Sequence, residues 1–121
     1  MKRLESSIEG AHFVSRHGPQ TTLGQQRLRA TYGIAPDNPN KVTYTTDTAR
    51  WFNSGDMFEG LQRAQAVHAR TGDPEIFISF DRTIGEGYLK GGDIYATSNT
   101  AVFRFNEHGQ PYTFYPILDV K

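Results

Sequence analysis

The spacing of apolar residues changes once along this chain, near Pro74, and that switch limits what it can build. Before it, apolar side chains recur at the spacing of amphipathic helices; after it, they alternate or run in short β-branched and aromatic stretches. Leu4, Ile8 and residues 11–14 have roughly helical spacing. Gly18-Pro19 ends that segment, because proline disfavours the helical conformation in the residue before it. Within it, His12 and Arg16 would lie one turn apart on one face. Thr22 followed by Gln25 reads as a capping box, opening a helix that runs to Tyr32 and stops at Gly33. Residues 34–49 are rich in turn formers and read as an ordered loop, with strand character only at 42–45. Asn53 or Ser54 can cap the next helix, whose apolar face is Met57, Phe58, Leu61, Ala64 and His68, and whose stop is Gly72.

Beyond Pro74, residues 75–80 and 101–105 read as strands, Asn106-Glu107-His108-Gly109 as a turn, and 111–118 as the returning arm of a hairpin. Residues 84–95 read as short strands around bends. Helices first and strands last predict an α+β fold, with N-terminal helices packed on one face of a C-terminal antiparallel β-sheet. Residues 1–121 read as a single domain, long enough to bury roughly two-thirds of its unfolded surface.

The chain has no cysteine, which removes disulfides, thiolate metal sites and cysteine nucleophiles together. No apolar run approaches the roughly 20 residues that span a bilayer. The first seven residues lack the apolar region of a signal peptide and predict no export signal of the chain's own. Thirteen basic and thirteen acidic residues cancel, so a nucleic-acid ligand would need a local basic patch. The first 36 residues can supply it: Lys2, Arg3, Arg16, Arg27 and Arg29 stand against Glu5 and Glu9.

The two ends of the chain carry the groups that metal-free RNA cleavage needs. One group must take a proton, another must give one, and a cation must hold the phosphate. His17, with Arg16 before it and a Gly18-Pro19 turn after it, is the candidate general base or acid, and His12 a candidate second one. Arg27 and Arg29 are candidate phosphate ligands, of which at most one can join the site, because helical residues two apart face different sides. In Thr113-Phe114-Tyr115, strand alternation puts Thr113 and Tyr115 on one face, where a hydroxyl and a phenol can reach the same phosphate, and Phe114 on the core side. His68, on an apolar helix face, and His108, in a turn, read as bystanders. The glycine-rich stretch from Gly85 to Gly92 lacks P-loop spacing and reads as bends, with Lys90 a candidate nucleic-acid contact. Asp47, Asp56 and Asp93 have no metal-site spacing with the histidines.

Arg16-His17-Gly18, the short helix opened at Thr21-Thr22, Thr31-Tyr32-Gly33-Ile34-Ala35-Pro36-Asp37, Arg50-Trp51-Phe52 and the terminal Thr113-Phe114-Tyr115-Pro116 together resemble the C-terminal toxin domains of bacterial contact-dependent inhibition and other polymorphic toxins. Among these the chain is most similar to the compact ribonuclease domains, pancreatic-ribonuclease-like or related to EndoU and the colicin tRNases. The Gly-Gly-His-Ser element of EndoU enzymes is absent. The resemblance spans residues 10–118. It implies a cofactor-free and metal-free endoribonuclease acting on tRNA, with Arg16, His17, Arg27 or Arg29, Thr113 and Tyr115 as site residues. It also implies export as the C-terminal part of a larger secreted toxin, action in the cytoplasm of the target bacterium, a cognate immunity protein, and room for a host factor in the target cell. On the residues alone two other classes stay open, a non-catalytic RNA- or protein-binding module and a metal-dependent DNase toxin.

Overall fold

Helix α1 (Leu23–Tyr32) begins where the sequence places it. The Thr22 hydroxyl accepts from the backbone N–H of Gln25 at 3.0 Å, and the Gln25 side chain accepts from that of Thr22 at 2.7 Å. This reciprocal cap satisfies two of the donors that a helix start leaves free, and such caps are worth about 1 kcal/mol. The helix ends at Gly33 in the left-handed conformation. The computed structural model describes residues 18–33 and 46–119. The helix expected before Gly18 and the strand character at 42–45 lie outside the described residues.

The remaining elements are β1 (Thr48–Trp51), α2 (Ser54–Thr71), β2 (Glu75–Ser79), β3 (Gly85–Tyr88), β4 (Tyr95–Phe105) and β5 (Pro111–Asp119). The fold is α+β, with two helices packed against a curled five-stranded antiparallel sheet. β1 corrects the sequence reading, which put residues 48 and 49 in a loop. Its four residues alternate, with Ala49 and Trp51 entering the core while the Arg50 side chain bonds to Glu86.

β4 organises the sheet. One edge pairs first with β3 and then with β2, and the other pairs with β5. The register shifts between Thr97 and Thr100. There the buried Ser98 hydroxyl donates to the Thr100 carbonyl at 2.7 Å and accepts from its N–H at 3.2 Å. A bulge of this kind bends a strand and changes which residues face inward. Ala96 and Ser98 are buried before it, and Ala101, Phe103 and Phe105 after it. The bend carries β5 over β3 so closely that a side chain on Gly85 would strike the Pro116 ring.

The core joins Met57, Leu61 and Ala64 of α2 to Trp51, Ile76, Ile78, Phe80, Ile84, Phe103, Phe105 and Phe114. Phe103 stacks on Phe114 with centroids 5.0 Å apart, and Trp51 meets Phe80 and Phe114 edge-on. Phe58 belongs to the expected apolar face but is 51% exposed, and Gly60 is buried instead. A methyl at Gly60 would meet the Phe103 and Phe80 rings, so the glycine lets α2 lie directly on the aromatic layer. That contact turns the buried stripe away from Phe58. Among the described residues, the indole N–H of Trp51 is buried without an acceptor, a cost of roughly 1–3 kcal/mol that the packing around the ring must offset.

α1 lies along β1 and β3. The buried Thr48 hydroxyl donates to the Gln26 carbonyl at 2.7 Å, and the turn between β3 and β4 docks on the helix through Gly91 N–H to Ala30 O at 2.8 Å. Gly92, with φ 78°, sits where any side chain would collide with Thr31. The paired glycines 91 and 92 therefore form a tight turn under a helix, the bend expected from the sequence.

Candidate functional site

The residues that β1 and β3 present on the side opposite the aromatic core form a connected polar cluster that ties three strands to the start of the described chain. Arg50 and Glu86 face each other across the β1–β3 ladder and are hydrogen-bonded at 2.8 Å, with side chains only 17% and 15% exposed. The rest of the guanidinium reaches back to the start of the described chain: Nε donates to Thr21 O at 2.7 Å and Nη2 to Pro19 O at 2.6 Å. That turn is itself closed by Thr21, whose N–H and hydroxyl both donate to the Gly18 carbonyl. The other Glu86 oxygen accepts from the Tyr95 phenol at 2.8 Å. Burial, then the hydrogen bond to Glu86 and its charge, raise the Tyr95 pKa above the ordinary phenol value, which keeps this hydroxyl a donor. Tyr95 packs edge-on against Tyr88, and the Arg27 guanidinium lies 5.7 Å from the centre of the Tyr88 ring. Arg27 Nε also donates to Gly92 O at 3.1 Å.

These contacts bring Arg27 and Lys90 to one end of the molecule. Lys90 is exposed in the turn after β3, where its N–H donates to the Asp47 carboxylate at 2.7 Å. Glu86 and Tyr88 are two residues apart on β3, about 7 Å of strand. Arg29 is half-buried in the last turn of α1, whereas Arg27 is exposed, so the two arginines face different sides as expected. His12, Arg16 and His17 lie outside the described residues. The turn that follows them, from Gly18 to Thr21, is the one that Arg50 holds.

Thr113 and Tyr115 sit elsewhere. They share one side of β5, with Phe114 fully buried on the other. Thr113 pairs with Arg104, whose guanidinium lies 5.6 Å from the Tyr115 ring centre and donates to Glu75 at 3.0 Å. Tyr88 pairs with Tyr95 at one end of β4 and Thr113 with Arg104 near the other. Nine residues of β4 therefore separate them, roughly 30 Å of strand path at about 3.3 Å per residue. Along β4, Thr113 and the Arg27–Tyr88 contact therefore belong to opposite ends of the strand, an arrangement that strand alternation alone cannot reveal. His17, with which Thr113 and Tyr115 are expected to share a phosphate, lies outside the described residues.

His68 and His108 sit at the end of the sheet where β4 turns into β5. The His68 ring stacks on Phe105 with centroids 4.2 Å apart and its Nδ1 is 2.7 Å from Asp73 O, while His108 is exposed in the β4–β5 turn. Among the described residues no group of three or more His, Cys, Asp or Glu is arranged to hold a metal ion, and no helix is long and apolar enough to cross a membrane.

Sequence reasoning missed Glu86 and Tyr95 as site residues and valued Arg50 only as part of a motif. One signal was available. A glutamate between Gly85 and Gly87, in a chain that alternates, must point away from the side where backbone is crowded. No protein-family model, curated protein or solved structure matches the chain.

Proposed function

We propose that the chain is the toxic domain of an interbacterial toxin, a metal-independent endoribonuclease acting on tRNA. In the proposed reaction a general base removes the proton from an RNA 2′-hydroxyl, whose oxygen attacks the adjacent 3′ phosphorus. The bond from phosphorus to the 5′-oxygen breaks as a general acid protonates that oxygen. The products are a 2′,3′-cyclic phosphate and a 5′-hydroxyl. DNA, without a 2′-hydroxyl, cannot react this way. His17 supplies one of the two proton transfers, His12 is the candidate for the other, and Arg16 with Arg27 balances charge on the phosphorane.

The observation that carries this reading is the clamp on the turn following Arg16-His17: Arg50 binds it at two carbonyls and pairs with Glu86, which lies on the same strand as Tyr88, the ring that Arg27 covers. A histidine used for proton transfer needs a fixed root, and a half-buried guanidinium held at three acceptors provides one. The toxin assignment, the tRNA substrate, delivery from a larger secreted protein and action in the target cytoplasm come from the resemblance of the motifs. Thr113 and Tyr115 are assigned to a different stretch of the RNA than the reacting phosphate. A cognate immunity protein would cover the His17 face with acidic groups that complement its arginines.

The test is His17→Ala. Positioned proton transfer contributes roughly 10²–10⁴-fold, so cleavage should fall by that factor while the buried Trp51 reports an intact fold. A folded variant that cleaves RNA at near-normal rate removes His17 from the mechanism.

A further inference from the structure

We infer that Tyr95 is a substrate-contacting residue of the ribonuclease site, and that Glu86 and Arg50 are positioning residues that hold it in register with the turn following His17. The inference rests on the ribonuclease reading and names the surface that meets the RNA.

Three links join the turn to the phenol: Pro19 and Thr21 carbonyls to Arg50, Arg50 to Glu86, and Glu86 to Tyr95. Arginine suits the first two because its planar fork presents several donors in fixed directions, which an ammonium does not. Tyr95 is the exposed end of this chain, with 48% of the residue accessible although its hydroxyl is held. An aromatic ring fixed by its hydroxyl and by the edge contact with Tyr88 loses little conformational freedom when a base stacks on it. Single-stranded RNA is met in this way elsewhere, by bases stacked on aromatic rings and phosphates held by nearby cations. Arg27, laid over Tyr88, supplies the cation.

The acidic groups around this surface define the contact further. Glu86 neutralises Arg50, and Asp47 and Asp93 flank Lys90 in the adjoining segments. The patch is therefore not broadly basic, and stacking carries the contact. Binding should accordingly be tolerant of sequence, with a shallower salt dependence than the several phosphate contacts of a basic groove would give.

The probe is a fluorescein-labelled 12-nucleotide mixed-sequence RNA, 2′-O-methylated throughout so that it cannot be cut by 2′-hydroxyl attack. Anisotropy gives its affinity, and cleavage of total bacterial RNA gives kcat and KM. Tyr95→Ala should weaken probe binding about 5- to 100-fold and raise KM more than it lowers kcat. Tyr95→Phe, which keeps the ring, should restore most of the affinity. Arg50→Lys, which keeps the charge but not the fork, should lower kcat by shifting the turn that follows His17. Because Arg50→Lys is the variant most exposed to folding loss, wild-type protein is also crosslinked to 4-thiouridine RNA and the adduct mapped, with Tyr95 expected in the labelled peptide. A folded Tyr95→Ala that binds and cleaves like wild type, or crosslinks confined to the Thr113 face, overturns the inference and leaves the ribonuclease reading standing. Wild-type protein that neither binds the probe nor cuts RNA overturns both.

Discussion

An arginine, a glutamate and a tyrosine meet on two separate parts of this sheet, and the settings differ. In the Arg50–Glu86–Tyr95 cluster the ion pair is 17% and 15% exposed and the guanidinium also holds two backbone carbonyls from a distant part of the chain. In the Arg104–Glu75–Tyr115 cluster the pair is 38% and 45% exposed and links only neighbouring strands. The same residue types thus form an anchor in one place and a solvated cross-strand contact in the other. Burial and the partners of the remaining donors separate the two. Residue identity does not.

The largest expected effect sharpens the contrast between the two sides of β5. Phe114→Ala should destabilise the protein by roughly 3–5 kcal/mol, because the fully buried ring stacks on Phe103 and touches Trp51. Thr113→Val, on the other side of the same strand, should change stability by less than about 1 kcal/mol and show its effect in RNA cleavage. Urea unfolding followed by the single tryptophan measures both. A costly Thr113→Val would mean that its side of the sheet supports the fold after all.

Next comes the direct comparison of the two arginines. Arg50→Ala should cost about 2–4 kcal/mol, since Glu86 keeps a half-buried charge and two carbonyls lose their donor. Partial exposure keeps the figure below the full range for buried pairs. Arg104→Ala should stay within about 1 kcal/mol. Equal losses in the same unfolding assay would erase the distinction between anchor and surface contact.

The smallest effect is a pH dependence. The Tyr95 pKa is raised in the folded state, so above pH ~10 the unfolded chain releases this proton first and stability declines as pH rises through the folded value. Below that range the contribution is fully present. Tyr95→Phe should flatten this part of the alkaline stability curve relative to wild type. An unchanged slope would mean that the Tyr95–Glu86 contact is not held in solution.

Much of the fold could be read locally. The ends of α1 and α2 follow from Thr22, Asn53, Gly33 and Gly72, because caps are chosen by residues within four positions of each other. The β4–β5 hairpin is equally local, its turn closed by bonds between Asn106 and residues 108–110. β1 was hidden because four residues are too few to establish a period. The first half of β4 was hidden because the bulge at Ser98 breaks alternation where a reader would count it. The candidate site was legible only in its pieces. Arg50 and Glu86 are 36 residues apart, and Arg27 meets Gly92 across 65, so their union depends on strand order. The same long-range order separates Thr113 from Arg27, although each was a reasonable phosphate ligand on its own.

Whether this chain cleaves RNA through 2′-hydroxyl attack is read by incubating the purified protein with total bacterial RNA in excess chelator and sequencing the fragment ends. Discrete cuts leaving 2′,3′-cyclic phosphates and 5′-hydroxyls, concentrated in tRNA, are the expected result. Intact RNA, or cleavage that appears only when a divalent ion is restored, would contradict it.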